Sequence, residues 1–213
     1  MKTDDLIEML ATGPDVAVAS APTLRNVLLL LGALLLSGAM MATILGLLPH
    51  LAQAMQHSAF WLKLAFSAAL GGAGWFAVRR LSSPGAPTGK LMLLASAPVV
   101  LLWLIAALSL AKSDPVLRAE LFWGSTWRYC PTLITLMSLP VFAATLSIMR
   151  QFAPTRLRQA GAAAGLASGG AAAAVYCLHC PEMSAAFVGF WYLLGMLVPT
   201  ALGALIGPRV LRW

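Results

Sequence analysis

Acidic residues are scarce in this sequence. The 213-residue chain holds seven Asp and Glu against fourteen Lys and Arg, and charged residues of both signs make up only 10% of it. A soluble domain carries about 25%, so this composition cannot cover a water-facing surface. None of the seven acids lies inside an apolar run, and His50, His57 and His179 also fall between runs. Ion pumps and proton-coupled carriers need carboxylates, histidines or lysines along their path. Ion-coupled transport is therefore disfavoured, and only a carrier of neutral solutes stays open in that class. Phosphate-binding glycine loops, a dinucleotide fingerprint and the HExxH metalloprotease pattern are missing. The GxSxG nucleophile elbow is missing as well. Ten-residue alternation is lacking, which excludes a membrane barrel. The excess positive charge is scattered in short loops with no dense stripe, so no direct nucleic-acid partner is expected.

What the chain has is apolar length, with 60% of its residues hydrophobic. Six segments are long enough to cross about 30 Å of hydrocarbon at roughly 1.5 Å per residue. They run over Asn26–Leu48, Phe60–Val78, Leu91–Ala111, Pro131–Met149, Gln159–Cys177 and Ala185–Ile206. The fifth is mostly Ala and Gly and is the least hydrophobic. Residues 1–24 are polar and acid-rich, and the run after them is too long for a signal peptide, so it reads as a retained span. A cytoplasmic N-terminus would put ten Lys and Arg inside, among them Arg79, Arg80, Arg150, Arg156, Arg158, Arg209 and Arg212. Four would face outside: Lys63, Lys112, Arg118 and Arg128. That asymmetry sets the orientation. The expected fold is an all-α, polytopic membrane protein. A bundle of six transmembrane helices fills 25–213, both termini are cytoplasmic, and 1–24 form a separate N-terminal segment.

Gly161, Gly165 and Gly169 recur every four residues in the fifth segment, Gly203 and Gly207 in the sixth, and Gly71, Gly72 and Gly74 crowd the second. Such spacing lets helices pack backbone to backbone, within one chain or between copies in a homo-oligomer. Trp61, Trp75, Trp103, Trp123, Trp127, Tyr129, Trp191 and Tyr192 lie mostly near segment ends, as interfacial anchors do. Lys63, just inside an outer end, is expected to snorkel to the interface.

With this orientation all three cysteines and all three histidines share the outer side. Cys130 opens the fourth segment, and Cys177, His179 and Cys180 occupy the hairpin before the sixth. Cys130 and Cys180 each precede a proline, which is expected to leave the thiol beside it exposed. Three chemistries fit. A disulfide would join Cys130 to Cys177 or Cys180. A soft metal would be held by Cys130, Cys177 and Cys180 with His179. A membrane thiol-disulfide oxidoreductase would use Cys177-x-x-Cys180, although quinone-linked enzymes of that kind generally carry two cysteine pairs. The bland alternative is inert, buried cysteine. No resident cofactor is implied.

In the N-terminal segment Leu6, Ile7, Met9 and Leu10 fall on one side of a short helix. Asp4 and Asp5 suit its N-terminal end, with Thr3 a candidate cap. It reads either as a solvated tail beside the lipid or as a recognition helix for a basic cytoplasmic partner, ordered on binding.

The opening Lys2-Thr3-Asp4-Asp5-Leu6-Ile7 with Leu10, the six segments, Cys130-Pro131 and Cys180-Pro181-Glu182 together resemble the NrsF-like family of bacterial membrane anti-sigma factors. Ala186-Phe187 and Phe190-Trp191-Tyr192 with Gly195 resemble the family's last span, so the likeness covers nearly the whole chain. The resemblance implies an inner-membrane protein, not an enzyme, whose N-terminal segment sequesters an ECF-type sigma factor through Asp4, Asp5, Leu6, Ile7 and Leu10. It also implies that Cys130 and Cys180 receive an oxidative or heavy-metal signal. Cys177 is additional to that two-cysteine pattern and leaves open which pair responds.

Overall fold

The computed structural model of the chain describes residues Thr3, Asp5, Ile7, Glu8, 24–83 and 89–212. Every regular element among them is helical. α1 spans Leu24–Leu45, α2 Ser58–Leu81, α3 Gly89–Lys112, α4 Pro115–Trp123, α5 Cys130–Phe152, α6 Leu157–Tyr176 and α7 Ala185–Val210. Five of these, α1, α2, α3, α5 and α7, are long and apolar enough to cross a membrane. α6, the fifth expected segment, has 20 residues but is not among the five.

Local sequence explains the boundaries. α1 stops earlier than its apolar run because Gly46 adopts φ 78°, a left-handed conformation costly for a residue with a side chain. Arg79 and Arg80 occupy the last turn of α2, where positive charge suits the helix dipole. Pro115 and Pro131 sit in the first turns of α4 and α5, where a missing N–H costs nothing. α4 lies in the loop between the third and fourth apolar segments. Pro98, Pro140, Pro199 and Pro208 lie inside α3, α5 and α7. Membrane helices tolerate such prolines, because neighbouring groups re-satisfy the freed carbonyls.

α6 is the centre of the bundle, which explains its weak hydrophobicity: it is sheathed by α2, α5 and α7 and needs no lipid-facing side chains. Its glycines are required by backbone approach. A Cβ on Gly165 would lie 2.5 Å from the Pro199 carbonyl carbon, and one on Gly161 2.7 Å from that of Gly203. On the opposite seam a Cβ on Gly74 of α2 would lie 2.8 Å from the Ala167 Cα. Gly71 faces Gly170 in the same seam. The small-residue stripes thus pack within the chain.

Two buried clusters fill the bundle. One gathers Phe66, Leu70, Ile134, Met137, Tyr176, Phe187, Tyr192 and Met196 around the cysteines. The other joins Val78, Leu81, Phe142, Leu146, Met149, Ala164 and Leu211 near the arginine-bearing ends. α1 and α3 are peripheral: only 11% of their apolar stretches is buried, against 56% in α5. Their outer faces, Leu31 and Leu35 on α1 and Leu101 and Leu104 on α3, are exposed and suited to lipid. α1 is tied to α5 by Ser37 Oγ, which donates to the Met137 carbonyl at 2.8 Å. Asn26 and Gln151 complete the tie with a reciprocal amide pair at 3.3 and 3.4 Å.

Of the N-terminal residues singled out above, Asp4, Leu6 and Leu10 lie outside the described residues. Asp5 and Ile7 are helical and exposed.

Candidate functional site

The chemistry-bearing side chains meet at the end of the bundle away from Arg79, Arg80, Arg150 and Arg209. α5 starts there and α6 ends there. The hairpin 177–184 then folds back over the bundle before α7 begins. Tyr176 O accepts the Cys180 N–H at 3.1 Å and the His179 N–H at 3.0 Å, so the chain turns inward directly after α6. The Leu178 carbonyl accepts the Leu48 N–H at 3.0 Å. His179 Nδ1 lies 2.9 Å from the Gly46 carbonyl oxygen. The segment after α1 thus straps the hairpin from outside.

This folding corrects one expectation. The prolines after Cys130 and Cys180 do not expose the thiols: all three cysteines are free and 0% exposed. Pro131 starts a helix whose first residue is already in the core, and Pro181 follows a turn already closed on the bundle. The thiols are not equivalent. Cys130 and Cys180 are close enough for each thiol to act on the other, and Thr126 Oγ1 lies 3.9 Å from the Cys180 sulfur. Cys177 instead meets Ser67 Oγ of α2, 3.9 Å away. The structure thus brings Cys180 and Cys130, from two separate segments, into one buried cluster, with Cys177 held against Ser67.

The metal reading is not assembled: no three His, Cys, Asp or Glu among the described residues are grouped to hold an ion. His179 stacks near Tyr176, ring centroids 5.6 Å apart, with its Nδ1 engaged at Gly46.

Lys63 is the residue that sequence reasoning placed wrongly. It does not snorkel to the interface but is 1% exposed inside the site. Its Nζ donates to the Cys180 carbonyl at 2.8 Å and to the Glu182 carbonyl at 3.1 Å. It also lies 5.9 Å from the ring centres of Phe60 and Tyr192, within cation–π range. The Glu182 carboxylate turns the other way, accepting Ser125 N–H at 2.7 Å and Ser125 O–H at 2.8 Å. It closes against Gly124, whose φ of 55° and tight contact with Glu182 leave no room for a Cβ.

Electrostatics single out Cys180. The neighbouring Cys130 side chain, helped by the Lys63 charge, outweighs burial and lowers the Cys180 thiol from 9.0 to about 6. A thiol lowered in this way is more readily ionised, and here it lies wholly inside the bundle. Tyr192, expected as an interfacial anchor, is buried here instead. Its hydroxyl has no hydrogen-bond partner of good geometry among the described residues. Trp123, Trp127 and Trp191 cluster at 4.8–5.4 Å with Phe122 beside them. Trp191 Nε1 donates to the Phe122 carbonyl at 3.0 Å, fixing α4 to α7 beside the thiols.

Comparison with known proteins bears on this arrangement. A family model described as "NrsF: Negative regulator of sigma F" matches residues 10–213. A protein of Azospira oryzae named a probable anti-sigma-F factor NrsF is 48% identical over 217 residues, covering 100% of both chains. The anti-sigma-F factor NrsF of Caulobacter vibrioides is 39% identical over 219 residues, again covering 100% of both. No solved structure matches. With the family model and both relatives extending over nearly all of it, the chain belongs to the NrsF family of negative regulators of sigma F.

Proposed function

We propose that the protein is a six-span anti-sigma factor of the bacterial inner membrane. Its cytoplasmic residues 1–24 hold an ECF-type sigma factor away from RNA polymerase, and its buried outer thiols release that factor under oxidative stress. Both relatives are named anti-sigma-F factors, which supports a regulatory role without turnover. Six spans with both termini inside require α6 to cross, and its central place between α2 and α7 supports that. Asp4, Asp5, Leu6, Ile7 and Leu10 supply the acidic and apolar contacts to the sigma factor.

One observation carries the sensing half. Cys130 and Cys180, from two separate segments, lie in one buried cluster and act on each other's thiols, at the end of the bundle opposite the arginines. Such a pair can form a disulfide. With a peroxide, the Cys180 thiolate attacks one oxygen and breaks the O–O bond, leaving a sulfenic acid. The Cys130 thiol then displaces water. The two thiols lose two electrons and two protons, and hydrogen peroxide ends as two waters. The new bond must favour a bundle with lower affinity for the sigma factor, since a signal acts only through such a difference. The assembled pair favours the oxidative signal over a metal one.

The test is a pull-down from detergent-solubilised membranes. The full chain is expected to capture the sigma factor, and a chain lacking residues 2–23 to lose it. Peroxide is expected to release it from the full chain but not from the Cys130→Ser, Cys180→Ser double variant. Release that survives in that variant would remove the sensing role from these cysteines.

A further inference from the structure

The thiol site contains a buried cation with no carboxylate turned toward it. Glu182, the acid of the hairpin, has its side chain on Ser125 and offers Lys63 only its backbone carbonyl. A buried ammonium with carbonyl and π-face partners is stable only if something nearby balances its charge. The titratable groups that face Cys180 are Lys63 from α2, Cys130 from α5, Tyr176 and Cys177 from the end of α6, and Tyr192 from α7, with Glu182 beside it in the hairpin. Of these, Cys180 is placed to supply the balancing charge. Its own carbonyl is fixed by the Lys63 ammonium, so sulfur and cation belong to one clamp.

We propose that Lys63 is the positioning residue of the thiol site: it pins the 177–184 hairpin to α2, holds Cys180 on Cys130, and serves as the counter-charge of the Cys180 sulfur. This role rests on the sensing reading above and deepens it by naming which sulfur reacts first. Lys63 also links the site to the rest of the bundle. Ser67, one turn on, donates to the Lys63 carbonyl at 3.0 Å and reaches Cys177. Beyond it, Gly71 and Gly74 form the tight seam with α6. When Cys180 enters a disulfide its sulfur can no longer be an anion. The ammonium is then buried without a counter-charge, at the outer end of the helix pair that runs to the arginine-bearing face.

The experiment follows the S–H stretching band of the reduced, detergent-solubilised full chain by infrared spectroscopy across pH, with Cys180→Ser identifying the Cys180 contribution. This readout needs no reagent to reach the buried sulfur and no sigma factor, so it succeeds or fails independently of the pull-down. In the natural chain the Cys180 band is expected to disappear with a midpoint near pH 6. Lys63→Met is expected to raise that midpoint, with less thiolate at a given pH, and Lys63→Arg to restore it. Lys63→Gln keeps a donor for the carbonyls without the charge, and serves the same comparison if Lys63→Met fails to fold. A midpoint unchanged in the uncharged variant would overturn the proposal, as would a rise that Lys63→Arg shares in full.

Discussion

At the scale of single residues, the three cysteines divide by partner rather than by position in sequence. Cys180 is influenced most by Cys130, while Cys177 faces Ser67. Cys177→Ala is therefore expected to leave peroxide-induced release of the sigma factor intact, with a modest loss of stability from the small cavity. That is about 1–2 kcal/mol for a sulfur-sized group, readable as a lower melting temperature in detergent. The lowered Cys180 thiol adds a pH signature. A group depressed on folding stabilises the native state above its unfolded pKa, and that contribution fades as pH falls through the folded value. With 9.0 lowered to about 6, the melting temperature of the reduced protein is expected to gain on that of Cys180→Ser as pH rises from 6 to 9. A difference flat across that window would show that no buried thiolate contributes. Lys63 was invisible at this scale in the sequence. A lysine near a span end reads the same whether its amine rises to the headgroups or bends into the core, and only the hairpin carbonyls decide. The weak clue is its spacing from Ser67, i and i+4 on one helix face.

At the scale of elements, apolar runs located the long helices among the described residues within a few positions, because hydrocarbon thickness dictates their length. The boundaries that shifted did so for local reasons: the left-handed Gly46 shortened α1, and the loop before Cys130 folded as α4 on a Pro115 start. α6 was legible as a small-residue stripe but not as the hub, since the same spacing serves a seam between copies equally well. Its packing gives a sharp prediction. Gly165→Val puts atoms onto the Pro199 backbone, 2.5 Å from the carbonyl carbon at the first added atom, where no rotamer gives relief. Overpacking of this kind costs about 1–3 kcal/mol or more, and loss of the folded species is expected in a detergent melt. Gly72→Val, on the same α2 that supplies Gly71 and Gly74 but with nothing within 4 Å of its added Cβ, is expected to melt close to the natural chain. Equal tolerance at both positions would mean that the α6–α7 seam is not closed backbone to backbone.

At the scale of the whole molecule, the helices separate two chemistries. Thiols, Lys63 and the aromatic cluster crowd one end, and Arg79, Arg80, Arg150, Arg156 and Arg209 crowd the other. In the topology proposed above, the positive-inside rule would put the arginines in the cytoplasm, the thiols on the oxidising side, and the N-terminal segment on the side of the sigma factor. Everything in this assignment turns on α6, the least hydrophobic of the six expected spans and not among the five helices long and apolar enough to cross. If α6 crosses, the loop after α5 and the C-terminus share one side; if it does not, they are on opposite sides. Single reporter cysteines in a chain lacking the native three decide between these. Thr155→Cys and Arg212→Cys replace exposed residues at the arginine end, and Ala119→Cys an exposed residue of α4. A membrane-impermeant maleimide is expected to label Ala119→Cys in cells whose inner membrane is intact, and the other two only after it is opened. Labelling of Arg212→Cys in intact cells while Thr155→Cys stays protected would place α6 outside the hydrocarbon. The C-terminus would then lie on the side opposite Thr155, and the chain would cross the hydrocarbon five times rather than six.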